Sequence, residues 1–91
     1  MEKYNGWANY QTWRVNLEML DGMTAEDFGI SVSDVEDDRD AAVSRLSQTL
    51  GEFVYEATDA QASGFALDIA HSFLSSVDWY EIAEHLIADM G

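Results

Sequence analysis

The stretch SDVEDDRDAAVSRLSQTLGEFVYEAT, residues 33–58, decides the fold class of this chain. Its apolar residues recur at intervals of three and four, which is the spacing of one face of an α-helix. They are Val35, Ala42, Val43, Leu46, Leu50, Phe53, Val54 and Ala57. Ser33 followed by Glu36 is a capping-box pattern, which predicts one long helix over about residues 34–58. Gly51 costs about 1 kcal/mol relative to alanine, so the helix could kink or split there.

A shorter helix is predicted before this one, over about residues 10–20. Asn9 has the side chain that favours an N-cap, and Gly22 is the usual kind of residue at a helix end. Residues 1–8 show no helical spacing and are expected to form an irregular lead-in. The lead-in contains two aromatic residues, Tyr4 and Trp7. Among the aromatic residues of the chain, these two are expected to be exposed.

Two helices are predicted after the long one. The first covers about residues 61–75, and its inward residues are expected to be Phe65, Ala66, Ile69, Ala70 and Phe73. The second starts at Asp78 as N-cap, with Glu81 as its capping-box partner. Its buried face is expected to contain Ile82, Ala83, Leu86, Ile87 and Met90. No segment shows sustained period-two alternation. The sequence therefore predicts an all-α fold, a compact single-domain bundle of four to five helices over residues 1–91.

The charge of the chain is strongly negative. Eighteen Asp and Glu face four Lys and Arg, which gives a formal net charge of −14, and no Lys or Arg follows Arg45. Such a chain repels nucleic acid and anionic membrane and attracts basic surfaces. We therefore expect a basic protein partner, with no direct nucleic-acid contact and no membrane contact. The absence of cysteine fits a cytoplasmic location, here that of a host cell.

Catalytic and metal-binding patterns are weak in this sequence. Glu81 and His85 lie one helical turn apart, but two ligands are too few for a structural zinc site. Carboxylate pairs occur throughout the chain, so no pair is distinguished as an acid and a base. There is no Gly-rich phosphate loop and no Ser or Cys nucleophile motif. We expect a protein without enzymatic activity, cofactor or metal.

The acidic residues give the most specific hypothesis. On a helix, residues three or four apart stand about 5–6 Å from each other, so acids at that spacing form rows. Such rows approximate the spacing of successive backbone phosphates, and Arg and Lys of a nucleic-acid channel could accept them in place of phosphates. The predicted partner-binding residues are Asp34, Glu36, Asp37, Asp38, Asp40, Glu52, Glu56, Asp59, Glu81 and Glu84. Two alternatives stay open: a merely solvated acidic face, and adaptation to high salt.

Two motifs at the ends of the chain carry a family resemblance. Asn9-Tyr10-Gln11-Thr12-Trp13 resembles the Asn-Tyr-x-Thr-Trp start of a family of small phage and mobile-element proteins. Val77-Asp78-Trp79-Tyr80-Glu81-Ile82-Ala83-Glu84-His85-Leu86 resembles the closing helix of the same family. The acidic end is also similar to the tail of the antirestriction protein ArdA, a DNA mimic. The likeness transfers no catalytic role to any residue, and Trp13 and Trp79 are better explained as core anchors.

The resemblance implies a viral or mobile-element setting, in which small acidic proteins often disarm restriction or CRISPR systems. Together with the acidic rows, it favours a non-enzymatic anti-CRISPR or antirestriction inhibitor that binds the basic nucleic-acid channel of a host defence complex. The alternative is a small phage or plasmid accessory or scaffolding protein whose acidity serves solubility or salt tolerance. Whether DNA or RNA is imitated, and the oligomeric state, stay open.

Overall fold

A computed structural model describes residues 4–90 of the chain. Its five α-helices are α1 (Tyr10–Val15), α2 (Val32–Asp37), α3 (Arg39–Gln61), α4 (Gly64–Leu74) and α5 (Trp79–Ala88). A π-helical segment, Asn16–Leu20, continues α1, and a short 3-10 helix, Glu26–Phe28, lies before α2. Within residues 4–90 no strand forms, and the single β-bridge joins Tyr4 to Trp7. The prediction of a small all-α domain is confirmed.

The first helix begins and ends where the sequence predicts. Asn9 has extended backbone, and its side-chain oxygen accepts a hydrogen bond from the Thr12 N–H at 2.8 Å. The helical backbone continues through the π-helical segment to Leu20, and Asp21 returns to an extended conformation. Gly22 then adopts a φ of +83°, a left-handed value that glycine tolerates without steric cost.

The lead-in differs from the predicted irregular chain. Asn5 and Gly6 have φ values of 48° and 87°, and the residues on either side exchange backbone hydrogen bonds of 2.7 and 2.8 Å. This is the geometry of a type I′ turn, for which Asn-Gly is the preferred dipeptide. The turn brings Trp7 back against the core, so Trp7 is half-buried rather than exposed, while Tyr4 is exposed.

The long helix predicted over residues 34–58 is two helices, α2 and α3. Ser31, and not Ser33, is the N-cap of α2, and its partner in the capping box is Asp34 rather than Glu36. Asp38 then adopts extended backbone, which ends α2. Its side chain accepts a hydrogen bond from the N–H of Ala41, the third residue of α3, at 3.2 Å. A short acidic side chain can bond the local backbone outside a helix, and this competition explains the break.

Most of the predicted apolar stripe lies in α3 and faces the core, but Phe53 is 39% exposed and Val35 belongs to α2. Its fully buried residues are Ala42, Val43, Leu46, Leu50 and Val54. The helix α3 does not split at Gly51 and continues to Gln61. A Cβ at Gly51 would lie 3.7 Å from the ring of Trp79, an ordinary van der Waals distance, so the indole of α5 lies beside the α3 backbone with room for a methyl group. The most extensive contact between helices is accordingly that of α3 with α5.

The inward face predicted for α4 is wrong. Phe65 is 79% exposed, Ile69 is 54% exposed, and Ala66 is also exposed. Ala70 and Phe73 are half-buried, and the only fully buried residue of α4 is Leu74. Seven of the eleven residues of α4 are apolar, and they surround most of the helix. Periodicity alone therefore does not specify which side of such a helix packs against the core.

The last helix matches its prediction on the buried side. Ile82, Ala83, Leu86 and Ile87 are buried, and Met90 packs half-buried against the core. Asp78 is the N-cap, accepting from the Glu81 N–H at 3.0 Å. The second half of the predicted capping box is absent, because the Glu81 carboxylate instead accepts a hydrogen bond from the Ala8 N–H at 2.8 Å.

One buried hydroxyl joins the starts of α1 and α5. The Thr12 side chain donates to the side-chain oxygen of Asn9 at 2.6 Å and accepts from the Asp78 N–H at 2.8 Å. Asn9 also donates from its amide nitrogen to the Ser76 carbonyl at 2.6 Å. Thr12 is 0% exposed and is the one fully buried polar residue of the described chain. The caps of α1 and α5 thus share one hydrogen-bond network, although Thr12 and Asp78 are 66 residues apart in sequence.

Replacing Thr12 by valine should lower the free energy of unfolding by about 1–3 kcal/mol. The shape of the side chain is kept, but the Asp78 N–H loses its acceptor in a buried place. The matched control is Thr49→Val, because the Thr49 hydroxyl bonds only the Arg45 carbonyl of its own helix. We expect the control to change stability by no more than about 0.5 kcal/mol. Urea unfolding measures both, and equal effects of the two variants would contradict the role assigned to Thr12.

Replacing Gly51 by alanine should raise the free energy of unfolding by about 1 kcal/mol. Alanine has the higher helix propensity, and its methyl group would meet Trp79 at ordinary van der Waals distance. Gly64→Ala is the contrasting variant: with a φ of +59° at this position, an L-residue is strained, so stability should fall by about 1 kcal/mol. Thermal unfolding of the two variants measures the opposite signs, and a destabilised Gly51→Ala protein would mean that the indole has no room to accept the methyl group.

Candidate partner-binding surfaces

The central acidic row lies on the solvent side of α3. Glu52 and Glu56 are exposed and project away from the buried stripe, one turn apart on the same helix. Asp59 continues the row one turn further, but its carboxylate oxygen lies 2.7 Å from Nε2 of His71 on α4. All three acids of this row are exposed, and the last one has a partner within the fold.

The acidic cluster around α2 is partly used within the fold. The Asp34 carboxylate accepts from the Ser31 N–H at 2.9 Å and pairs with the Arg45 guanidinium at 3.1 Å. Asp38 caps α3. The remaining members are exposed and make no hydrogen bond or ion pair to any residue in the range 4–90; they are Glu36, Asp37 and Asp40.

The two acids of α5 have different environments. Glu81 is half-buried and held by the Ala8 N–H, whereas Glu84 is exposed. His85, one turn after Glu81, stacks on the Trp7 ring with centroids 4.2 Å apart. The Glu81 and His85 side chains thus serve separate contacts to the lead-in. Across the described part of the chain, no group of three or more His, Asp or Glu is placed to hold a metal ion.

Positive charge on the described surface is largely neutralised. Arg14 pairs with Glu18 at 3.0 Å, and Arg45 pairs with Asp34. The Tyr10 hydroxyl, bonded to the Arg14 guanidinium at 2.9 Å, and the charge of Glu18 raise the pKa of Arg14. Arg39 is exposed and makes no ion pair within residues 4–90. The surface that a partner meets is therefore dominated by carboxylates.

An open apolar groove lies between the first helix and α4. Its volume is about 490 Å³, and its walls come from α1, the π-helical segment and α4, with Thr58 of α3 contributing. The exposed or half-buried apolar side chains that line it are Met19, Ala66, Ile69, Ala70 and Phe73. From the sequence, these α4 residues are expected in the core. The signal for an open face is that α4 is apolar on more sides than one packed helix can bury.

The fold and these surfaces define a class: a small acidic α-helical protein with solvated carboxylates and one apolar groove. The chain belongs to a family of unknown function, DUF7249, whose profile matches residues 1–90. No curated protein and no solved structure matches the chain. Within residues 4–90, every helix is too short or too polar to cross a membrane.

The acid sensitivity of the α2 cap gives a test of the local electrostatics. The hydrogen bond from the Ser31 backbone, then the Ser31 hydroxyl and the charge of Arg45, hold the pKa of Asp34 below its ordinary value of 3.8. A depressed pKa in the folded protein stabilises it above pH 3.8, and this contribution is lost as the pH falls through the lower folded value. The difference in Tm between the native protein and Asp34→Asn should therefore be constant near neutral pH. It should become smaller as the pH falls below 3.8.

The matching variant is Ser31→Ala, which removes the hydroxyl that bonds Asp34. NMR titration of the Asp34 carboxyl carbon should show its pKa rising toward the ordinary value in this variant. A Tm difference that widens in acid would have the wrong sign and would contradict the assignment.

Proposed function

We propose that this protein is a non-enzymatic inhibitor that occupies the basic nucleic-acid channel of a host defence complex of the CRISPR or restriction type. In this proposal its carboxylates take the place of phosphates, and it acts in the host cytoplasm. The observation that supports it is the row on α3: Glu52 and Glu56 stand exposed on a 23-residue helix, on a chain that has no Lys or Arg after Arg45.

The physical case depends on desolvation at the partner. Arg and Lys that line a nucleic-acid channel are arranged for phosphate, and a charged hydrogen bond to a carboxylate is about twice as strong as a neutral one. A rigid helix holds its acids at a fixed pitch, so little backbone order has to be created on binding. Long-range attraction between a chain of net charge −14 and a basic channel also speeds the encounter.

Internal bonding narrows the set of residues that could serve this role. Asp34, Asp38, Asp59 and Glu81 already make hydrogen bonds or ion pairs within the fold. A partner would have to displace those contacts. We therefore place the main contact on Glu52 and Glu56, with further contributions from Glu36, Asp37, Asp40 and Glu84.

The direct test is competition with nucleic acid. A purified CRISPR effector complex and a purified restriction enzyme, each with fluorescent target DNA, are titrated with the protein, and displacement is followed by anisotropy. We expect displacement from at least one of them by the native protein. The double variant Glu52→Lys, Glu56→Lys should need at least about tenfold more protein, because one lost charge pair costs about 2 kcal/mol or more.

A matched control separates position from total charge. Glu26→Lys, Asp68→Lys reverses two exposed acids outside the proposed surface and changes the net charge by the same amount. This control should displace DNA about as well as the native protein, within about threefold. Equal weakening of the two double variants would show that only bulk charge acts, and failure to displace DNA from either complex would contradict the proposal.

Salt dependence of folding distinguishes the alternative of an accessory protein adapted to high salt. Self-repulsion in such a protein is screened only at high ionic strength. A native protein that is unfolded at about 0.1 M salt and folds only near about 1 M would favour the alternative. The inhibitor proposal expects a folded protein at both concentrations.

A further inference from the structure

The apolar groove between α1 and α4 is the feature of this fold that the proposed function does not use. Phe65 and Ile69 of α4 are 79% and 54% exposed, although neither lies in a loop. Ile69 lines the groove together with Met19 of the π-helical segment and Phe73. Contiguous exposed apolar surface on a small domain is typical of an interaction site.

The dimensions of the groove fit one helix. One wall is provided by α4, an eleven-residue helix about 16 Å long at 1.5 Å per residue, and its lining residues run from Ala66 to Leu74. About three turns of a second helix would cover that length, and residues at i, i+3, i+4 and i+7 would point into the groove. The small side chains of Ala66 and Ala70 on this wall leave space for larger side chains of the partner.

Charge selects among helices that could occupy this groove. The described cation on the groove wall is Arg14, and it is already bonded to Glu18 and to the Tyr10 hydroxyl. The rest of the molecule has a large excess of carboxylates, with a net charge of −14. A helix that carries Lys and Arg beside its apolar face is attracted into this field, and an acidic helix is repelled.

A second copy of this chain fits the groove poorly. Two copies would bring together two surfaces that each belong to a chain of charge −14. A stable dimer also buries roughly 800 Å² on each partner, more than a face about 16 Å long and about 10 Å wide supplies.

We propose that the α1–α4 groove binds a basic amphipathic helix of a partner protein, whose apolar side chains pack on Ile69, Phe73 and Met19. This inference goes beyond the proposed inhibition, because apolar contact holds the partner and the acidic row on α3 does not take part. The two are separable, since a change at Ile69 leaves Glu52 and Glu56 in place.

The probe for this proposal is a fluorescein-labelled peptide of Leu and Lys, about 14 residues long, with Leu at helical spacing. Anisotropy at about 0.15 M salt compares the native protein, Ile69→Asp and Val32→Asp. Val32 is 49% exposed and lies on α2, so it provides the same chemical change away from the groove. Both variants add one negative charge, which by itself strengthens attraction to a cationic peptide.

We expect the peptide to bind Val32→Asp at least as tightly as the native protein, and to bind Ile69→Asp at least about tenfold more weakly. A peptide of the same composition but without an apolar face should bind the native protein at least about tenfold more weakly as well. Circular dichroism checks that both variants remain folded, which their exposed positions favour.

Any of four outcomes would overturn the proposal. Equal binding of both peptides, or an unchanged affinity of Ile69→Asp, would reduce the interaction to charge alone. A native dimer in sedimentation velocity that Ile69→Asp dissociates would assign the groove to a second copy. Binding to uncharged phosphatidylcholine vesicles that Ile69→Asp abolishes, without peptide binding, would assign it to a lipid surface.

Discussion

The buried hydroxyl of Thr12 is the contact on which the arrangement of the helices depends. It bonds the caps of both terminal helices, and the Ala8–Glu81 hydrogen bond and the stacking of Trp7 on His85 lie beside it. With α5 held in this way, the Trp79 ring lies beside Gly51 of α3. The contact between α3 and α5 is the most extensive helix contact of the fold. A domain of this size has a small core, and the chain has no cysteine for a disulfide. A network of neutral hydrogen bonds therefore links the starts of α1 and α5. Buried ion pairs in the same place would carry a desolvation cost.

The fold uses part of its negative charge for its own stability. Asp34, Asp38 and Asp78 lie at helix starts, where a carboxylate bonds free backbone N–H groups and interacts favourably with the helix dipole. These acids stabilise the fold, so composition alone overstates how many carboxylates are available to a partner. Glu52 and Glu56, in the middle of a long helix, have no such local use, and this separates structural acids from those that could bind.

Local signals predicted much of the fold from the sequence, and contacts between distant residues account for the errors. Asn9, Asp78 and the stripe of α3 were predicted because capping chemistry and helical spacing are local. The bond between Ala8 and Glu81 spans 73 residues, so spacing alone gave no access to it. The N-cap of α2 is Ser31, two residues before the predicted Ser33, because the reciprocal bonds of the capping box form between Ser31 and Asp34. The exposure of the α3 row followed from periodicity, whereas the groove was missed because α4 is apolar on several sides.

The acidic surface and the apolar groove would contribute differently to a complex. Charge acts at a distance, is screened by salt, and mainly raises the rate of encounter with a basic partner. Apolar contact acts only after docking and mainly lengthens the life of the complex. Mutual repulsion between chains of charge −14 also disfavours the pairing of two grooves, which leaves the side chains of Phe65 and Ile69 exposed in the free protein. In the proposed complex, the negative charge that disfavours a second copy in the groove attracts a cationic helix to it, so acidity and an exposed apolar helix are compatible in one small protein.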